Sequence, residues 1–170
     1  MAVEEHRRRA AARVVQAVVV TVSDTRGPDD DAGGALIEQM LAAAGHRVLA
    51  RRFVPDEVEA IRGALQEALA MPGVDAVLLT GGTGIAPRDR TPEAVRPLLD
   101  RELPGFGEIF RMLSYQEVGA AGMLSRALAG AAGRCFVGCL PGSPKAVRLA
   151  MERLILPEIR HIINELRRGG

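Results

Sequence analysis

Short, nearly unbroken apolar runs alternate along this chain with stretches in which apolar residues recur every three or four positions. Residues 14–22, VVQAVVVTV, are β-branched and almost continuous, the pattern of a strand buried on both faces. A polar run, SDTRGPDDD, follows. GGALIEQMLAAAG then reads as a helix ending at Gly45, whose freedom to adopt left-handed backbone suits the position just past a helix. HRVLARRFV is a second strand. After Pro55, the segment DEVEAIRGALQEALAM spaces Val58, Ile61, Leu65 and Leu69 at the helical period, and Asp56 is placed to cap it. VDAVLLT is a third buried strand. Three strands joined through two helices predict a parallel, right-handed βαβαβ unit.

Beyond the third strand, GGTGIAPRDRTPEAV is a glycine-rich loop running into a short helix near Thr91 and Pro92, with Pro and Glu93 in the first turn. Residues 104–118 read as a helix. The segment AGMLSRALAGAAGRCFVGCLPG holds two short β-like runs, an antiparallel or edge piece and then a fourth buried strand over 135–140. A long helix, SPKAVRLAMERLILPEIRHIINELRR, completes the chain, and Pro157 should kink or split it near residue 156. Residues 1–13 read as a charged, flexible tail, and residues 14–170 as a single domain with no internal repeat or linker.

Composition narrows the functional classes. The chain has 170 residues, 48% hydrophobic and 25% charged, ordinary values for a globular protein with its own core. A net charge of +1 and 3% aromatics leave little for a nucleic-acid surface built on basic patches and stacking rings. No apolar run approaches the ~20 residues that span a bilayer, and the N-terminus lacks an apolar signal stretch, so a cytoplasmic location is expected. Cys135 and Cys139 lie about 13 Å apart if their run is a strand at ~3.3 Å per residue, too far to bridge each other. His6, His46 and His161 are scattered, without zinc-ligand spacing.

The candidate chemistry lies in loops that follow predicted strands. Gly81, Gly82, Thr83 and Gly84 form a run whose backbone amides can converge on an anion, beyond the carboxyl end of a parallel strand, where open α/β sheets bind ligands. The plain alternative is a tight turn. The dinucleotide fingerprint fails because Pro87 stands at the third glycine site, and the P-loop pattern is absent. Asp89 follows the glycine loop closely enough to hold Mg²⁺ beside phosphates, or else serves as a cap or an arginine partner. Asp56 ends the second strand on the same side and carries the same two readings. Pro141, Gly142, Ser143 and Lys145 open the last helix, and Lys145 is the sole lysine among 22 basic residues. With Ser23 and Asp24 after the first strand, four loops point to a phosphate-rich ligand and a divalent ion.

These residues resemble the MoaB/MogA family of molybdenum cofactor biosynthesis. The resemblance rests on TVSDTR (21–26), VPDE (54–57), LTGGTGIAPRDRTPE (79–93), LPGFGEIFRMLSYQEVG (103–119), LSRALAG (124–130) and LPGSPKAV (140–147). It covers nearly the whole chain, and the stretch 103–119 leans toward the MoaB branch. The resemblance implies a single three-layer α/β domain with a mostly parallel, mixed central sheet. It implies Mg²⁺-dependent transfer of AMP from ATP to the terminal phosphate of molybdopterin, releasing pyrophosphate; the alternative is a non-catalytic molybdopterin carrier. It assigns catalysis and Mg²⁺ binding to Asp56 and Asp89, and ligand phosphate to Gly81, Gly82, Thr83 and Gly84, with Ser23 and Asp24 alongside. It assigns molybdopterin contacts to Ser125, Pro141, Gly142, Ser143 and Lys145. Arg90 and Ser143 depart from residues common elsewhere in the family. A homotrimer or homohexamer and a downstream molybdenum-insertion protein are the implied partners. Met112 and Tyr115 point away from an apolar face at 106, 109/110 and 113, and so mark the expected subunit contact.

Overall fold

The computed structural model describes residues 13–168. Six strands form one sheet in the order β2-β1-β3-β6-β5-β4. They are β1 (Gln16–Val22), β2 (Arg47–Val54), β3 (Ala76–Thr80), β4 (Arg101–Glu102), β5 (Leu128–Ala132) and β6 (Cys135–Leu140). β1 pairs in parallel with β2 and β3, and β3 with β6, while β5 runs antiparallel to both β4 and β6. This is the parallel βαβαβ unit expected from the pattern, followed by the expected antiparallel piece. β4 is the addition. Two residues are too short to leave an alternating signature.

Alternation along β1 divides the core. Ala17 and Val19 face α1 (Ala32–Ala43), α4 (Pro104–Val118) and the final helix; Val18, Val20 and Val22 face α2 (Val58–Leu69) and α3 (Thr91–Val95). Every residue of β3 and β6 is buried, as strands covered on both faces must be. The result is a three-layer α/β domain with a mostly parallel, mixed sheet.

The final helix is continuous rather than split. α5 (Pro144–Ala150) passes into a π-turn (Met151–Ile155), and α6 (Leu156–Leu166) resumes with Pro157 in its first turn. The wider turn absorbs a proline that has no N–H to donate and would clash with the preceding carbonyl row. α4 matches the predicted limits, but Ile109 is 44% exposed and so leaves the buried face, which is carried by Phe110 and Leu113. Met112 and Tyr115 are exposed.

Residues 1–12 of the predicted tail lie outside the described residues. Arg13 is anchored rather than loose: it donates to Asp75 at 3.4 Å, and its carbonyl accepts from Arg160 at 3.0 Å. Buried Asp75 also accepts from Arg167 at 2.6 Å and from the Gln16 amide at 2.9 Å. A carboxylate removed from water requires such partners. Both cysteines are buried free thiols, with burial pushing Cys135 up to about 12.

Candidate active site

At the carboxyl ends of β1, β2, β3 and β6 lies a cleft of about 430 Å³. It is lined by residues 22–26, Asp56, residues 81–84, Arg88, Asp89, Leu124, Ser125 and residues 141–143. All four predicted loops therefore meet, because a parallel sheet delivers every strand's exit to one edge.

The floor is the glycine loop. Gly81 and Gly82 have φ of 103° and 65°, a conformation that side chains rarely tolerate. Gly81 donates its N–H to Leu140 O at 3.0 Å, and the Thr91 hydroxyl donates to Gly81 O at 2.8 Å. Among the described residues, the N–H groups of Gly82, Thr83 and Gly84 have no protein acceptor. Unspent amides in a cleft are the donors an anion needs.

Three carboxylates stand along one wall. Asp24 Oδ1 accepts from the Asp56 amide at 2.8 Å, and Asp56 Oδ1 accepts from the Arg90 amide at 2.8 Å. Asp89 Oδ2 accepts from the Ala86 amide at 2.9 Å. Asp56 Oδ2 and Asp89 Oδ1 accept no hydrogen bond among the described residues. Burial raises the Asp56 carboxyl above its ordinary value; the Arg90 amide opposes this, and the charges of Asp89 and Asp24 add to it. Asp56 is not the helix cap: that place belongs to Glu57, which makes no side-chain cap. The turn at Pro55 instead swings Asp56 across to the loop before α3.

Ser23 and Asp24 both line the cleft, and Asp24 also holds the Asp56 amide through Oδ1 while its Oδ2 accepts no hydrogen bond among the described residues. The Ser23 hydroxyl accepts from the Thr25 and Arg26 amides at 3.3 and 3.1 Å, closing its own turn. Ser143 caps α5 by accepting from the Ala146 amide at 3.2 Å. Ser125 accepts from the Ala127 amide at 3.3 Å. Lys145 lies outside the main cleft. It lines a neighbouring cavity of about 180 Å³ that shares Ser125, Pro141 and Ser143 with the cleft, and its Nζ is 3.9 Å from Glu117.

Two cations that loop spacing does not single out also belong to the site. Arg26 reaches Gly142 O at 3.4 Å, and Arg88 lines the cleft and opposes the upward shift of Asp56. Both sit inside TVSDTR and PRD, so the signal was present, but loop spacing does not tell where a long side chain turns. Arg126, next to Ser125, is a third case. It bonds Glu93, whose carboxyl burial would raise but which that bond and charge hold below its ordinary value.

The described residues hold no group of three or more His, Cys, Asp or Glu able to ligate an ion alone. This donor set suits Mg²⁺, which takes one or two carboxylates and completes its shell with phosphates and water. Asp56 Oδ2 and Asp89 Oδ1 could hold it, with Asp24 Oδ2 also unpartnered on the same wall.

The sequence profile of the family described as "probable molybdopterin binding domain" matches residues 18–161. Molybdenum cofactor biosynthesis protein B of Halalkalibacterium halodurans is 50% identical over 129 residues, 75% of this chain and 76% of that protein. A crystal structure of a molybdenum cofactor biosynthesis protein B superposes with a TM-score of 0.90 at 50% identity, covering 92% of this chain and 98% of that one. The tungsten cofactor synthesizing protein MoaB of Pyrococcus furiosus superposes with a TM-score of 0.83 at 41% identity, covering 91% and 98%. The fold, the four-loop cleft and these likenesses agree: the chain belongs to the MoaB/MogA family of molybdenum cofactor biosynthesis proteins.

Proposed function

We propose that the protein transfers AMP from ATP to the terminal phosphate of molybdopterin, with Mg²⁺, releasing pyrophosphate. The observation that carries this reading is the pairing of three unspent loop amides with three half-free carboxylates, Asp24, Asp56 and Asp89, in one cleft. The amides suit phosphate and the carboxylates suit a phosphate-bound cation. A protein that only carried a pterin would have no use for the second set.

The chemistry needs no general base. Molybdopterin's phosphate is already an anion at neutral pH. Its oxygen attacks the α-phosphorus, the bond to the bridging β-oxygen breaks, and pyrophosphate departs with that electron pair. Asp56 and Asp89 would hold Mg²⁺, which would offset the charge between the two anionic reactants. The amides of Gly82, Thr83 and Gly84 hold phosphate oxygens, while Arg26 and Arg88, which line the cleft, can offset the charge of the leaving pyrophosphate. Asp24 keeps the Asp56 backbone fixed. Catalysis is then positioning plus electrostatics, as in phosphoryl transfer at large. The adjoining cavity beside Lys145 suits the pterin, and the product passes to a molybdenum-insertion protein. The working unit is a homotrimer or homohexamer.

Incubating the purified protein with ATP, Mg²⁺ and molybdopterin tests the reading. Adenylylated molybdopterin and pyrophosphate should form in equal amounts. Asp89→Ala and Asp56→Ala should each abolish both while shifting the thermal melt by only a few degrees, since neither side chain is in the core. Molybdopterin binding without product in the wild-type protein would replace the enzyme with a carrier.

A further inference from the structure

We propose that Arg126 is a positioning residue that fixes Asp89 by closing the stem of the 84–89 loop from behind. Its guanidinium Nε donates to Gly84 O at 2.7 Å, and one terminal nitrogen donates to Asp89 O at 2.7 Å. The other terminal nitrogen bonds Glu93 on α3. One planar group thus joins the first and last carbonyls of the loop and ties both to the following helix. The Arg126 amide adds a bond to Thr83 O at 2.8 Å.

Within the loop, Asp89 holds itself only to Ala86: its amide donates to Ala86 O at 2.9 Å, and Oδ2 accepts from the Ala86 amide at 2.9 Å. Those contacts are internal and turn with the loop. Among the described residues, the side chain that grips Asp89 from another element is Arg126. The guanidinium spends each of its three nitrogens on protein, and Arg126 lines a depression behind the loop rather than the main cleft. It therefore acts through Asp89 and not on the ligand. The SR pair divides: Ser125 borders the cleft, and its neighbour braces the far side. A lysine cannot reproduce the fork, because an ammonium makes point contacts.

The inference rests on the proposed adenylyl transfer only for the reason Asp89 must be held. The test has two arms. In the ligand-free protein, hydrogen exchange at the Ala86 and Asp89 amides is compared between wild type, Arg126→Lys and Arg126→Gln. Exchange should quicken in the order wild type, Lys, Gln. Unchanged exchange in both variants overturns the clamp, whatever the protein's activity. In the second arm, Mg²⁺ is titrated by calorimetry with an ATP analogue that resists cleavage at the α-phosphorus, without molybdopterin. Arg126→Gln should weaken Mg²⁺-dependent binding about 10–100-fold, the usual penalty for removing an outer-shell support, with Arg126→Lys between. Combined with Asp89→Asn, Arg126→Gln should add nothing further. An equal loss in that background refutes action through Asp89. So does an Arg126→Lys variant that melts far below wild type yet binds Mg²⁺ and analogue normally. A wild-type protein that binds no Mg²⁺ and analogue refutes the adenylyl-transfer reading instead, and the exchange arm alone then decides the clamp.

Discussion

Replacing Gly84 with alanine separates the placement of Asp89 from the stability of the fold. A methyl on Gly84 would lie 2.7 Å from Asp89 Oδ2, where ordinary contact begins near 3.4 Å. The carboxylate must retreat by roughly 0.7 Å, a shift near the ~1 Å misplacement that costs about 10²-fold in rate. Gly84 is not among the glycines with positive φ, so the backbone tolerates the side chain. The obstructing atom is the end of a side chain at the cleft wall. The structural penalty is then the hydrogen bond from the Ala86 amide to Oδ2, about 1 kcal/mol net. For a chain of this length that lowers the melting temperature by about 2–4 °C. Gly84→Ala should therefore lose AMP transfer by about two orders of magnitude while melting almost normally. Product formation is measured beside a thermal melt on the same preparation. Wild-type turnover would show that the position of Asp89 is immaterial. A fall of more than ~10 °C would show that Gly84 supports the fold.

Three further outcomes are expected. Lys145→Ala should weaken molybdopterin binding more than ATP binding, with Lys145→Arg rescuing in part; equal losses by titration would refute its assignment to the pterin. Light scattering should give a mass near three or six times the monomer, and Met112→Glu with Tyr115→Glu should lower it without unfolding, since both side chains are exposed, as are Ile109, Val118 and Met123; a monomeric wild type at micromolar concentration would refute the contact. His46 is the acid-sensitive element: Nδ1 accepts from the Val15 amide at 3.2 Å and Nε2 is buried without a partner. Burial first, then the charge of Arg160, lowers it below its ordinary 6.5. The unfolded chain then binds the proton more readily, so stability holds above pH 6.5 and declines as pH falls from there toward the lowered value. His46→Gln should flatten that decline in melts taken across the range, and an unchanged slope would exonerate the histidine.

The elements were legible because their signals are local. Val58, Ile61 and Leu65 declare α2 by period, and Gly45 marks the end of α1 with φ of 79°. The meeting of four loops followed from topology alone. Side-chain direction in those loops did not. Asp56 looked like a cap because it precedes a helix, yet its partner is the amide of Arg90, 34 positions away. Arg88 and Arg126 lie in recognisable motifs, but one enters the cleft and the other braces it from outside. Only the packed chain separates such neighbours. Lys145 shows the same limit: its position in the loop was evident, while its turn toward Glu117 was not.

Asp75 has a consequence for the chain's connectivity. Arg13 and Arg167 bind the same oxygen of this carboxylate, so both ends of the described chain come to one spot before β3. The cleft follows Thr80, at the far end of that strand, about 17 Å away at ~3.3 Å per residue. Ends that lie together and away from the reactive edge are the arrangement that tolerates rewiring. A short linker between them, with new ends opened in the exposed turn at Gly133 and Arg134, would give a circular permutant with the sheet and cleft intact.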